Sequence, residues 1–101
     1  GGEVKEGKRD GYGVISMRDG SRYKGQWVKN KKHGWGMDQG TDWVFLGEFK
    51  KGLRDGPGVL ADVHYHRTLG VWLEGRKNGT CIEVSPEEDE EVFTYHMGEV
   101  Q

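Results

Sequence analysis

The chain should fold as an all-β protein, an elongated single-layer antiparallel sheet built from consecutive β-hairpins. Three observations predict this. Glycine occurs 18 times in 101 residues, and the pattern Gly-x-Gly returns as Gly11-Tyr12-Gly13, Gly34-Trp35-Gly36 and Gly56-Pro57-Gly58, then degraded as Gly79-Thr80-Cys81. Its first glycines are 23, 22 and 23 residues apart, and a second series, Gly2, Gly25, Gly47 and Gly70, keeps the same spacings. Between them run short alternating segments such as Tyr23-Lys24-Gly25-Gln26-Trp27, which place Tyr23, Gly25 and Trp27 on one face and Lys24 and Gln26 on the other. A fixed period above about 20 residues marks a repeat architecture, in which each unit packs on its neighbours.

The elements follow in order. Units are expected at residues 2–22, 23–44, 45–67 and 68–84. Each opens with an alternating strand and turns at Glu6-Gly7, Lys29-Asn30, Lys51-Gly52 or Glu74-Gly75, where Gly or Asn suits the positive φ of a tight hairpin. The second strand carries Gly-x-Gly. Glycine inside a strand usually marks the close approach of another group. The expected visitors are Trp27, Phe49 and Trp72, with their rings lying over glycines of a neighbouring strand. Residues 85–91, with the run Glu87-Glu88-Asp89-Glu90-Glu91, are expected to form an acidic insert loop. Residues 92–101 are expected to supply one further strand of a partial repeat, for about eight or nine strands in all. The chain reads as a piece of a longer array. Its end strands would expose unpaired backbone groups that invite pairing, with a homodimer or further repeats as partners.

These units resemble the MORN family (membrane occupation and recognition nexus). Tyr23-Lys24-Gly25-Gln26-Trp27…His33-Gly34-Trp35-Gly36 follows the family unit almost completely, and Phe45-Leu46-Gly47-Glu48-Phe49…Asp55-Gly56-Pro57-Gly58 follows it with Phe for Tyr and for Trp. The first unit has Val4 in the Trp position. The fourth, Thr68-Leu69-Gly70-Val71-Trp72…Asn78-Gly79-Thr80-Cys81, has lost the Tyr and one glycine. The resemblance implies a non-catalytic scaffold that recruits partner proteins, in the cytoplasm, at the cytoskeleton or at the cytoplasmic face of a membrane. It also implies an alternative, an accessory domain of a larger enzyme such as a lysine methyltransferase, lipid kinase or exchange factor.

Composition narrows the function further. Apolar residues make up 33% and charged residues 32%, with 11% aromatic. A lone Cys81 permits no internal disulfide, and no stretch approaches the ~20 apolar residues of a membrane span. The net charge of −2 argues against a nucleic-acid partner. Its distribution is lopsided: residues 1–55 hold 12 Lys/Arg against 8 Asp/Glu, whereas residues 56–101 hold 3 against 9. No nucleophile elbow, phosphate loop, zinc spacing or dinucleotide fingerprint occurs, so neither catalysis nor a cofactor is expected. His64 and His66 share a face if they lie in a strand, but two histidines do not make a metal site.

Two surfaces remain as candidates. One is aromatic. Tyr12, Trp35, Met37, Val59 and Ile82 fall opposite the glycines, and Trp27, Phe49 and Trp72 fall with them. A single layer cannot bury both faces by itself, so Tyr12, Trp35, Met37, Val59, Trp27, Phe49 and Trp72 are the expected partner-binding residues, lining a sheet groove for a protein or peptide segment. For Trp27, Phe49 and Trp72 the competing expectation is internal ring-on-glycine packing. The other surface is basic. The hairpin turns carry 11 of the 15 cationic residues: Lys5, Lys8, Arg9, Lys29, Lys31, Lys32, Lys50, Lys51, Arg54, Arg76 and Lys77. From Lys29 onward these eight form the alternative site, a basic edge for anionic phospholipid at about 1 kcal/mol per cation.

Overall fold

The computed structural model of the chain describes residues 2–5 and 8–101, with side chains described from Asp10 onward. The Glu6-Gly7 turn and the Lys5, Lys8 and Arg9 side chains lie outside the described residues. Eleven strands follow one another among the described residues: β1 (Gly2–Lys5), β2 (Lys8–Ser16), β3 (Arg22–Val28), β4 (Lys31–Gln39), β5 (Trp43–Lys50), β6 (Leu53–Asp62), β7 (Arg67–Leu73), β8 (Arg76–Lys77), β9 (Gly79–Val84), β10 (Glu90–His96) and β11 (Glu99–Val100). All join one antiparallel sheet in chain order, with the short β8 branching from β7. The molecule measures 46 × 25 × 18 Å. It has more strands than the eight or nine expected because the fourth unit's return strand splits around Asn78 and the last segment folds back as a β10–β11 hairpin.

One row of residues organises the sheet. Gly2 pairs with Gly13, Gly13 with Gly25, Gly25 with Gly36, Gly36 with Gly47, Gly47 with Gly58, and Gly58 with Gly70. Directly paired residues share a face, so seven glycines form a groove free of side chains across seven strands. A Cβ at Gly36 would lie 2.3 Å from the Tyr23 hydroxyl oxygen, and one at Gly58 would lie 2.5 Å from Cζ of Phe45. The rings over Gly25, Gly36, Gly47 and Gly58 are therefore Tyr23 and Phe45; of the three rings expected from sequence, Trp27 reaches Gly13 of the neighbouring strand, whereas Phe49 and Trp72 pack against Tyr23 and Phe45. The Tyr23 ring spans Gly25 and donates its hydroxyl to the carbonyl of Gln26 at 2.9 Å, which fixes it along its own strand. Trp27 pairs with Lys32, beyond the glycine row, and its indole N–H reaches the Gly13 carbonyl at 3.4 Å.

The five rings together make the core. Trp27, Tyr23, Phe49, Phe45 and Trp72 zigzag along the face with successive centroids 5.0, 5.3, 5.4 and 4.9 Å apart and planes 79–89° to one another. Edge-to-face pairs of this kind are worth about 0.5–1.5 kcal/mol each beyond area burial. All five are buried, so a single layer builds its interior on one face.

The two glycines of Gly-x-Gly do different work. The second lies under a ring. The first, Gly34 or Gly56, has φ of 73° or 111°, beside a shift in strand register that a residue with a Cβ would strain. The turns at Lys29-Asn30, Lys51-Gly52, Glu74-Gly75 and Met97-Gly98 all place two successive residues at positive φ, the geometry that matches strand twist. Successive hairpins are then tied together. The N–H groups of Gly52, Gly75 and Gly98 donate to the carbonyls of Lys32, Arg54 and Lys77 at 2.8–2.9 Å.

The opposite ends of the strands close differently. Asp62 accepts from the backbone N–H groups of His64 and His66, so these histidines lie in an exposed turn and not along a strand. The acidic insert is a short ordered turn: Ser85 and Asp89 bond backbone to backbone, and Glu90 and Glu91 already belong to β10.

Candidate functional site

The two faces differ in what they leave for a partner. The ring face is largely self-satisfied. Trp27, Phe49 and Trp72 are 5, 4 and 2% exposed, so as core side chains they are not available as anchors. Among the described residues three cations roof the rings. Lys32 Nζ sits 5.1 Å from the Tyr23 centroid and 5.7 Å from that of Phe49, the Arg54 guanidinium 4.5 Å from Phe45, and Lys77 Nζ 4.6 Å from Tyr95. Lys32 also pairs with Asp38 at 2.8 Å, and Lys77 with Glu83 at 3.5 Å. Burial lowers the pKa of Arg54 from its ordinary value, partly offset by Asp38. Burial, with Asp38 adding to it, pushes Tyr23 up to about 12.

The basic edge is accordingly smaller than the sequence suggested. Lys32, Arg54 and Lys77 fold inward, whereas Lys29, Lys31, Lys50, Lys51 and Arg76 stay exposed. A sequence signal separated the two sets. Lys32, Arg54 and Lys77 each stand two residues before the first glycine of Gly-x-Gly, a register position that faces the rings.

The fourth unit breaks the ring row. Thr68 stands where Tyr23 and Phe45 stand, and Cys81 replaces the second glycine; a Cβ on Gly70 would meet the Cys81 Sγ at 2.3 Å. Beside Thr68 a cavity of about 500 Å³ opens, lined by Trp43, Arg54, Leu60, Asp62, His66 and Glu83 among others.

The other face is open. One step from each glycine the side chains point away from the rings, and direct pairing lines them up: Val14 with Lys24, Lys24 with Met37, Met37 with Leu46, Leu46 with Val59, Val59 with Leu69, Leu69 with Ile82, and Ile82 with Val92. Six successive apolar residues, Met37 to Val92, thus cross six strands, about 24 Å at the usual strand spacing. Leu46 is 52% exposed and Val92 67%. Trp35, Tyr12 and Val71 flank the row and are exposed as well. Of the residues expected to bind a partner, Tyr12, Trp35, Met37 and Val59 come together here. Leu46, Leu69 and Val92 were missed, although Leu46 and Leu69 precede Gly47 and Gly70 directly. Exposed apolar area that is contiguous, and not scattered, marks an interaction surface.

A family model described as MORN repeat matches residues 2–22, 23–36 and 45–62, together more than half of the chain. Among curated proteins no match is found.

Proposed function

The chain belongs to the MORN repeat family, whose repeats are generally non-catalytic interaction or membrane-binding modules, and from that premise we propose that it is a non-catalytic module that binds a protein partner on its open face. The observation that carries this reading is the unbroken apolar row Met37, Leu46, Val59, Leu69, Ile82, Val92 with Trp35 and Tyr12 beside it, exposed but for the half-buried Met37 and Ile82, on a sheet whose other face is roofed by its own rings. A partner segment lying across the strands would exclude water from the row, and Trp35 and Tyr12 are the residue types that anchor such contacts.

Selection of random displayed peptides against the protein tests it. The selected peptides should be rich in apolar residues. Their binding should fall at least tenfold with Leu46→Lys and remain unchanged on charge reversal of Lys29, Lys31 and Lys51. Peptides that bind the Leu46→Lys variant as well as the parent would overturn the reading.

A second reading, adhesion to anionic phospholipid, is favoured by the exposed Lys29, Lys31, Lys50, Lys51 and Arg76 at one end of the strands. Co-sedimentation with phosphoinositide vesicles, lost at high salt and on the same charge reversal, would establish it. No sedimentation at low salt would remove it.

A further inference from the structure

The open face is electrically polarised along its apolar row. At the β3 end Arg22 and Lys24 are exposed on this face, and at the β10 end stands Glu90. Arg22 lies beside the row through the pairing Arg22–Gln39, Gln39–Val44, Val44–Ala61, Ala61–Arg67, Arg67–Val84 and Val84–Glu90, which runs parallel to it one step along the strands. None of Arg22, Lys24 and Glu90 has an ion-pair partner among the described residues. One end of the face therefore carries the unpaired cations Arg22 and Lys24 and the other the unpaired Glu90, while Arg67, on the same face between Ala61 and Val84, is neutralised by its ion pair with Glu88.

Such a face is complementary to itself when reversed. Resting on the reading of the open face as a protein-binding surface, we propose that its occupant is a second copy of this chain, packed face to face as a two-fold sandwich. The axis would run along β6 at Val59. Counting strands outward from β6 in the sheet order, Leu46 then meets Leu69 of the other copy, Met37 meets Ile82, and Val59 meets its own counterpart. Arg22 arrives over Glu90, twice per dimer. Ala61 and Pro57, the neighbours of Val59 on this face, bring no charge to the axis.

Three physical arguments favour this occupant. A two-fold contact must match a surface with itself reversed, and the order basic, apolar, acidic does so, whereas like ends would repel. A slab face of 46 by 25 Å has room for the ~800 Å² per partner of a standard stable interface. Two sheets stacked about 10 Å apart are also the ordinary way in which a layer apolar on one side excludes water.

Sedimentation equilibrium of the full 101-residue chain over a concentration series tests the proposal. The expected mass at high concentration is twice 11.4 kDa. Leu46→Glu should return the protein to a monomer while the near-ultraviolet circular dichroism of the buried tryptophans is retained. Arg22→Glu and Glu90→Arg should each raise the dimer Kd about tenfold, and the double variant R22E/E90R should return to within about threefold of the parent. Both positions are exposed, so neither change threatens the fold. A monomer at every concentration would overturn the proposal, as would a dimer indifferent to Leu46→Glu or a double variant no tighter than the single ones. These failures are separable from failure of the underlying reading: a monomeric chain that still loses peptide binding with Leu46→Lys keeps the open face as a binding surface and loses only the second copy.

Discussion

The second and third units and the fourth unit solve the same packing problem with different residues. In the former, a ring at Tyr23 or Phe45 lies over glycines of its own and the next strand, Gly25 with Gly36 and Gly47 with Gly58. In the latter, Thr68 is short, Gly70 remains, and Cys81 brings its sulfur over Gly70 in place of a ring; Cys81 is fully buried. A cleft of about 500 Å³ opens beside Thr68. What the units share is a glycine row covered by a side chain, a ring in two of them and the Cys81 sulfur in the fourth, more than residue identities. That is what close packing demands of any interior.

The largest test of this comparison is Phe45→Ala. It removes the ring that touches Gly58, Phe49 and Trp72, and should cost about 3–5 kcal/mol in urea unfolding. The corresponding truncation Thr68→Ala should cost about 1 kcal/mol, because no ring is lost. Comparable costs at the two sites would mean that the fourth unit is packed like the others.

Next comes Gly36→Ala, which drives a methyl into the Tyr23 ring and should destabilise by about 1–3 kcal/mol. Gly52, at φ 86° with no atom within 4 Å of a new Cβ, carries only the backbone strain, about 1 kcal/mol on alanine substitution.

A third variant converts one solution into the other. Cys81→Gly should cost about 2 kcal/mol through the void it leaves and the flexible residue it introduces. Adding Thr68→Phe should recover most of that loss, whereas Thr68→Phe alone should destabilise by overpacking against Cys81. A double-mutant cycle reads the coupling directly. Additive effects would refute volume compensation.

The smallest effect is at Tyr23. Tyr23→Phe loses one hydrogen bond, about 1 kcal/mol. It also changes the alkaline limb. The folded-state pKa of Tyr23 is pushed up to about 12, above its ordinary value, so the folded state favours the neutral phenol. The stability this contributes is fully present below about pH 10 and is lost as pH rises through about 12. The Phe variant should therefore lose stability less steeply than the parent across that window.

Much of this architecture is legible in the residues themselves. The recurrence of Gly25, Gly47 and Gly70 predicts hairpins in register. The Lys29-Asn30 and Lys51-Gly52 pairs predict the turns, and the alternation around Gly25 predicts two chemically distinct faces. These follow from local rules, the period-two geometry of a strand and the few residues that tolerate positive φ. The open-face residues Tyr12, Trp35, Met37 and Val59 were readable for the same reason. Tertiary structure decided which ring lies over which glycine, because Tyr23 and Trp27 flank Gly25 on one face equally and only contacts with the neighbouring strand separate them. The position of Lys32, Arg54 and Lys77 two residues before Gly-x-Gly marks the face they take, but which rings they cover was decided by packing, since Phe49 under Lys32 and Tyr95 under Lys77 belong to other units. The apolar row from Met37 to Val92 is likewise a property of strand pairing: no two successive members are closer than nine residues in sequence, and only hydrogen-bonded register sets them side by side.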